Sequence, residues 1–208
     1  MQIAVIGAGS VGQALGQGWS KAGYSVKFGV PDPKAAKYQS LPAQQMATPS
    51  AATANAEIVV LATPWPNTEA AIRGLGNLAG KIVIDCTNPL MRDAQGMSLA
   101  IGHSVSAGER VAQWAKGASV FKTLNHTGAD NMANAARFPV KPAMFVAGDD
   151  AAKKPSVLKL VSDLGFAAID AGPLTNARLL EPLAMLWIDQ AFARGRGRDF
   201  AFAVVKRA

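Results

Sequence analysis

The chain of 208 residues is short of the residues that most often carry protein chemistry. It has one cysteine, Cys86, so no disulfide can form within it, and a reducing cytoplasm is the expected compartment. Cys86 falls at a predicted strand end and reads as a small buried hydrophobe. The only histidines, His103 and His126, are far apart, with neither H-E-x-x-H nor paired cysteines beside them. A metal site is therefore not expected. No serine occupies a G-x-S-x-G elbow, which argues against a serine hydrolase. No apolar run reaches the roughly 18 residues of a membrane helix, and no charged leading segment suggests a signal peptide. Acidic residues are outnumbered, 14 against 21 basic, for a net charge of +7. The basic residues are scattered apart from Arg194, Arg196, Arg198, Lys206 and Arg207. No RNA-binding aromatic motif or zinc-finger spacing accompanies them, so a nucleic acid partner is not expected, and an anionic small molecule accounts for the charge equally well.

What is present is organised around the first 23 residues. The apolar run Ile3-Ala4-Val5-Ile6 is that of a strand buried on both faces. Gly7-Ala8-Gly9-Ser10-Val11-Gly12 follows and fits G-x-G-x-x-G, after which Ala14, Leu15, Gly18 and Trp19 recur at helical spacing. Each glycine has a physical task. The first permits the tight turn, the second admits a pyrophosphate to the backbone, and the third lets helix and strand pack closely. The helix N-terminus then presents free N–H groups and a positive dipole end to the anion. Strand, glycine loop and helix in that order are the context a dinucleotide site requires.

Further strands are predicted at 24–28, 58–62, 81–85, 119–123, 143–148 and 166–169, with helices at 68–75, 107–116, about 149–164 and 176–194. This alternation implies an α/β fold: a Rossmann-type, doubly wound, mainly parallel sheet with a small C-terminal α/β portion. Residues 1–124 are read as the dinucleotide-binding core. Residues 125–208 are read as a portion closing one side of the cofactor crevice, the two forming a single compact unit. Residues 91–104, rich in Gly and Ser, read as a loop able to act as a lid. The stretch 38–50 leaves room for one short strand.

Loops at strand C-termini face the ligand crevice in such folds. After the second strand stand Val30, Pro31, Asp32 and Lys34, then Lys37. Asp32 comes two residues late for an acid that would bind the ribose of NAD, whereas Lys34 and Lys37 are point charges suited to a 2′-phosphate. Thr63, Pro64 and Trp65 follow the third strand, and Asn88, Pro89 and Leu90 the fourth. His126 is the titratable group on the next such loop and the one candidate for a general acid or substrate clamp. Hydride transfer between two rings needs neither, so no catalytic residue is assigned.

The stretches IGAGSVG at Ile6–Gly12, LATPW at Leu61–Trp65, TLNHTGADNM at Thr123–Met132, MFVAGDD at Met144–Asp150 and DAGPLTNARLLEPLAML at Asp170–Leu186 resemble the NADP oxidoreductases that use the 5-deazaflavin coenzyme F420. The similarity spans essentially the whole chain and extends to the reductase part of ferric-reducing membrane proteins. It implies hydride exchange between NADP(H) and F420 or a flavin-like acceptor. It places Gly9, Ser10, Val11 and Gly12 at the pyrophosphate, Trp65 and Leu90 beside the nicotinamide, and Thr127 to Ala129 near its amide, with Gly7 making the turn before them. The family's Ser-Arg pair for the 2′-phosphate is replaced by Val30-Pro31, with Lys34 as the substitute in reach, so the choice between NADP and NAD stays open. A homodimer through the long C-terminal helix, with Leu183, Leu186, Trp187 and Phe192, is expected. Two other readings remain: a nicotinamide-dependent reductase of another small molecule, and a nucleotide sensor without turnover.

Overall fold

A computed structural model describes every residue except Gln95 and Ala208. Strand β1 (Gln2–Ile6) leads into α1 (Ser10–Lys21), and β2 (Ser25–Gly29) follows. After β3 (Met46–Ala47) come α2 (Pro49–Ala54), β4 (Ile58–Leu61), α3 (Trp65–Arg73) and β5 (Ile82–Asp85). An antiparallel pair, β6 (Leu90–Asp93) and β7 (Gly96–Leu99), precedes α4 (Ala107–Trp114) and β8 (Ser119–Lys122). The remainder comprises α5 (Ala129–Asn134), β9 (Ala143–Gly148), α6 (Lys154–Asp163), β10 (Ala167–Asp170) and α7 (Ala177–Ile188). A π-helical turn, Asp189–Ala193, extends α7.

Eight strands form one sheet in the order β10-β9-β8-β5-β4-β1-β2-β3. All neighbours are parallel except β8 and β9. The fold is thus the expected Rossmann-type α/β sheet. Strands β4 and β5 are buried at every position, because helices cover both faces. One apolar layer gathers Leu15, Trp19, Phe28 and Phe121; the other gathers Ile6, Leu61, Ile72 and Val111. Complete burial of such side chains contributes about 1.5–3 kcal/mol each. The order of strands diverges between β1 and β4, the switch point where open α/β sheets bind ligands.

Three sequence expectations need correction. Residues 91–104 are not simply a loop, since two four-residue strands pair there from Leu90↔Leu99 to Asp93↔Gly96. The sixth helix starts at Lys154, later than 149, because the Asp150 carboxylate accepts from the Ala152 and Lys153 N–H groups and holds a turn there. Trp187 is not available to a partner: it is buried, stacked on Phe200 with ring centroids 5.3 Å apart, and its indole N–H donates to the Phe200 carbonyl. The short strand for which the stretch 38–50 leaves room is β3. Among the described residues, no helix is long and apolar enough to cross a membrane.

Candidate functional site

Gly7 leaves β1 with φ +99°, and a Cβ there would lie 2.6 Å from the Ala62 carbonyl oxygen. Gly9 is the N-cap of α1 and has nothing within 4 Å of the position a Cβ would take. The first-turn N–H groups of α1 have no partner within the helix, and no acidic residue lies among them. They therefore present a positive end to open space. Gly12 serves packing, since a Cβ would sit 2.0 Å from the Gly7 carbonyl oxygen. Gln13 fastens the loop by donating to the Ala8 carbonyl at 2.8 Å.

Two cavities flank this loop and meet at Gly9, Ala62, Thr63 and Pro64. The larger, about 700 Å³, runs past Val30, Pro31, Lys37, Tyr38 and Ser50 toward α3. The Lys37 ammonium lies 5.0 Å over the Tyr38 ring. Asp32 and Lys34 do not line it: the Asp32 carboxylate accepts from the Lys34 N–H at 3.0 Å in a local exposed turn. The smaller cavity, about 480 Å³, is walled by Ser10, Val11, Trp65, Cys86, Thr87, Asn88 and Leu90, among others. Trp65 lies between solvent and the Trp114 ring, centroids 5.4 Å apart, so it serves packing and crevice together. Burial holds the Cys86 thiol well above its ordinary pKa and thus protonated.

Eleven of the residues expected at the cofactor line these cavities: Gly7, Gly9, Ser10, Val11, Val30, Pro31, Thr63, Pro64, Trp65, Asn88 and Leu90. Six do not. Besides Gly12, Asp32 and Lys34, the buried Pro89 accepts from the Ala100 N–H at 2.7 Å and braces the base of the β6–β7 pair. Thr127 is buried and accepts from Asn131, and Ala129 packs into the core beside α1. The turn after β8 explains these last two. Leu124 has φ +56°, and the chain leaves toward α5 instead of running along the crevice. His126 lines neither cavity. It is buried, with Nε2 donating to the Ala143 carbonyl at 3.3 Å and Nδ1 3.2 Å from the Asn125 side-chain oxygen. Burial lowers its pKa to about 4, so it is neutral at physiological pH.

Sequence reasoning missed Tyr38, Ser50, Asn67 and Thr87 as lining residues. It also missed a buried charged trio, Asp85, Lys122 and Glu181, joined through Lys122 Nζ at 2.9 and 3.0 Å. A signal was available. Asp85 closes the apolar run of β5, Lys122 follows Val120 and Phe121 in β8, and the two are register partners.

A glycine loop at a helix N-terminus, placed at the switch point of a mainly parallel sheet, defines a nucleotide-binding architecture of the Rossmann type. The profile of the family described as NADP oxidoreductase coenzyme F420-dependent matches residues 2–89. A solved structure named as a candidate F420-dependent NADP-reductase from Arthrobacter sp. FB24 is 34% identical, covers 99% of this chain and 100% of its own, and superposes with a TM-score of 0.88. The chain belongs to this family of NADP-dependent oxidoreductases. Metalloreductase STEAP3 from Rattus norvegicus is 25% identical over 189 residues, covering 89% of this chain and 37% of its own length. The chain thus spans little more than a third of that relative. A reductive aminase from Aspergillus terreus, solved with NADPH and ethyl levulinate, shares the fold at 21% identity and TM-score 0.66, over 93% of this chain and 62% of its own.

Proposed function

We propose that this protein binds NADP(H) across the two cavities and exchanges hydride between the nicotinamide and a deazaflavin (F420) or flavin-like ring. One observation carries the reading. The smaller cavity is walled by apolar, hydroxyl and amide groups, and among the described residues its only titratable side chain is the Cys86 thiol, held protonated. A carbonyl or imine acceptor needs a proton on its heteroatom as hydride arrives, and no described residue in this wall is a titratable group suited to donate one. A flat conjugated ring instead spreads the incoming electron pair and takes its proton from water. When bound, the dihydronicotinamide supplies the hydride. The chain's own contribution is position: α1 amides for the pyrophosphate, and Val11, Trp65 and Leu90 as apolar surfaces for flat rings.

Among the described residues, Lys37 is the cation that lines the larger cavity, and it takes the place of Lys34 as the partner for a 2′-phosphate. Lys37→Glu is expected to weaken NADPH binding at least tenfold while changing NADH binding less than threefold, read by quenching of protein fluorescence. Equal effects on both nucleotides would remove Lys37 from that role. The reaction itself is tested by following 340 nm absorbance with NADPH and F420, then FMN. Binding without turnover would favour a sensor, and turnover only with a carbonyl or imine compound would replace the acceptor.

The homodimer belongs to the same proposal. Leu179 and Leu186, two turns apart on α7, are 67% and 50% exposed, and Phe192 on the π-helical extension is 63% exposed, large apolar side chains that a second copy would cover.

A further inference from the structure

We infer that the buried Asp85–Lys122–Glu181 trio is a positioning device for the wall of the smaller cavity, fixing Thr87 and Asn88 against the nicotinamide–acceptor pair. The inference rests on the functional reading above for its chemistry, but its geometry stands apart from it.

The three side chains are at most 1% exposed. Replacing such a group by apolar residues of similar volume is often neutral or stabilising, so overall stability is a poor reason for its presence. What the charges supply is direction. Asp85 turns one carboxylate oxygen to Thr87, accepting from its N–H at 2.9 Å and its hydroxyl at 2.7 Å. The other oxygen takes Lys122 Nζ at 2.9 Å, and Lys122 also donates to the Thr87 carbonyl at 2.6 Å. Thr87 is thus held by its amide, hydroxyl and carbonyl at once. Burial favours release of the Lys122 proton, but the Asp85 and Glu181 charges outweigh it and hold the ammonium above its ordinary range.

One lysine against two carboxylates leaves one negative charge over. The N-terminus of α4 meets it: the Glu181 carboxylate accepts from the Ala107 and Gly108 N–H groups at 2.9 and 3.0 Å. The trio therefore joins β5, β8, α4 and α7 at one point beneath the crevice. Asn88 has its own tie. Its amide donates to the Asn125 carbonyl at 2.8 Å and accepts from the Asn125 amide at 3.1 Å, while Asn125 also donates to the Leu180 carbonyl. Leu180 precedes Glu181, so α7 grips the wall twice. Leu124, the residue before Asn125, carries the left-handed backbone that a non-glycine residue rarely adopts. Backbone strain of this kind persists where the surroundings over-determine it. Misplacing reacting atoms by 1 Å can cost about a hundredfold in rate, so a wall fixed at this accuracy matters to a hydride donor and acceptor.

Two variants test this: Glu181→Gln, which keeps the shape of the side chain, and the neutral triple Asp85→Asn, Lys122→Met, Glu181→Gln. Amide hydrogen exchange across residues 85–90 is expected to rise at least tenfold in both, relative to β1 and β4. NADPH affinity, set by the α1 cradle, is expected to change less than threefold, and kcat for hydride transfer to fall at least tenfold. Unchanged exchange at 85–90 would overturn the inference. So would exchange rising equally everywhere with loss of NADPH binding and melting temperature, which is the mark of a purely structural role. If the unaltered protein reduces no flavin or deazaflavin, the functional reading fails, and local exchange still decides the positioning role.

Discussion

His126 illustrates how far a single residue's surroundings determine its chemistry. Buried between the Asn125 side chain and the Ala143 carbonyl, its imidazole is lowered from 6.5 to about 4, chiefly by desolvation. The consequence has a definite sign. As pH falls through 6.5, the unfolded chain takes up a proton that the native state refuses, so stability is lost until both states are protonated near pH 4. The full contribution is about 3 kcal/mol, present above pH 7 and gone below pH 4. Urea denaturation between pH 7.5 and 4 is expected to show this decline, and His126→Gln to flatten it. An equally steep decline in the variant would transfer the effect to other groups. The sequence misplaced this residue because the left-handed position is Leu124, and nothing about that residue signals such a turn. Glycine or asparagine would have done so, and leucine does not.

Helix α1 shows at the level of one element how two glycines of one motif differ. A Cβ on Gly12 would strike the Gly7 carbonyl at 2.0 Å, whereas a Cβ on Gly9 would point into the open crevice. Gly12→Ala is expected to destabilise the fold by roughly 1–3 kcal/mol, as overpacking does. Gly9→Ala is expected to leave the melting temperature within a degree or two and to weaken NADPH binding at least tenfold, because the methyl occupies the approach to the α1 amides. Calorimetry paired with a nucleotide titration separates the two. If Gly9→Ala binds NADPH normally, the cradle is not where the pyrophosphate rests. Strands such as β4 and β5 were legible because a strand buried on both faces must be continuously apolar. The pair β6–β7 was not, because Met91, Arg92 and Asp93 face solvent and show no alternation to read. Helix α5 and the stretch after Ala193 were equally silent. Their positions depend on distant contacts, such as Asn131 donating to the Arg198 and Phe200 carbonyls.

At the scale of the molecule, the crevice was foreseeable and the acceptor was not. Chain order places the ends of β1 and β4 at the switch point, and Gly7, Thr63 and Trp65 gather there as their positions require. The exposed leucines of α7 lead to a prediction at this same scale. Sedimentation is expected to give about twice the 21.6 kDa chain mass, and Leu179→Glu with Leu186→Glu to give single chains of unchanged melting temperature. A wild-type protein sedimenting as single chains would end the dimer proposal. The smaller cavity has a consequence of its own. Its floor, from Ser10 and Val11 across to Thr87 and Asn88, is protein, and its mouth is open. A ring resting on such a floor shows the outside world one side only. With NADPH deuterated at carbon 4, label placed in one prochiral position is expected to pass wholly to the acceptor, and label in the other to stay behind. Mixed delivery would mean that the ring turns over in place.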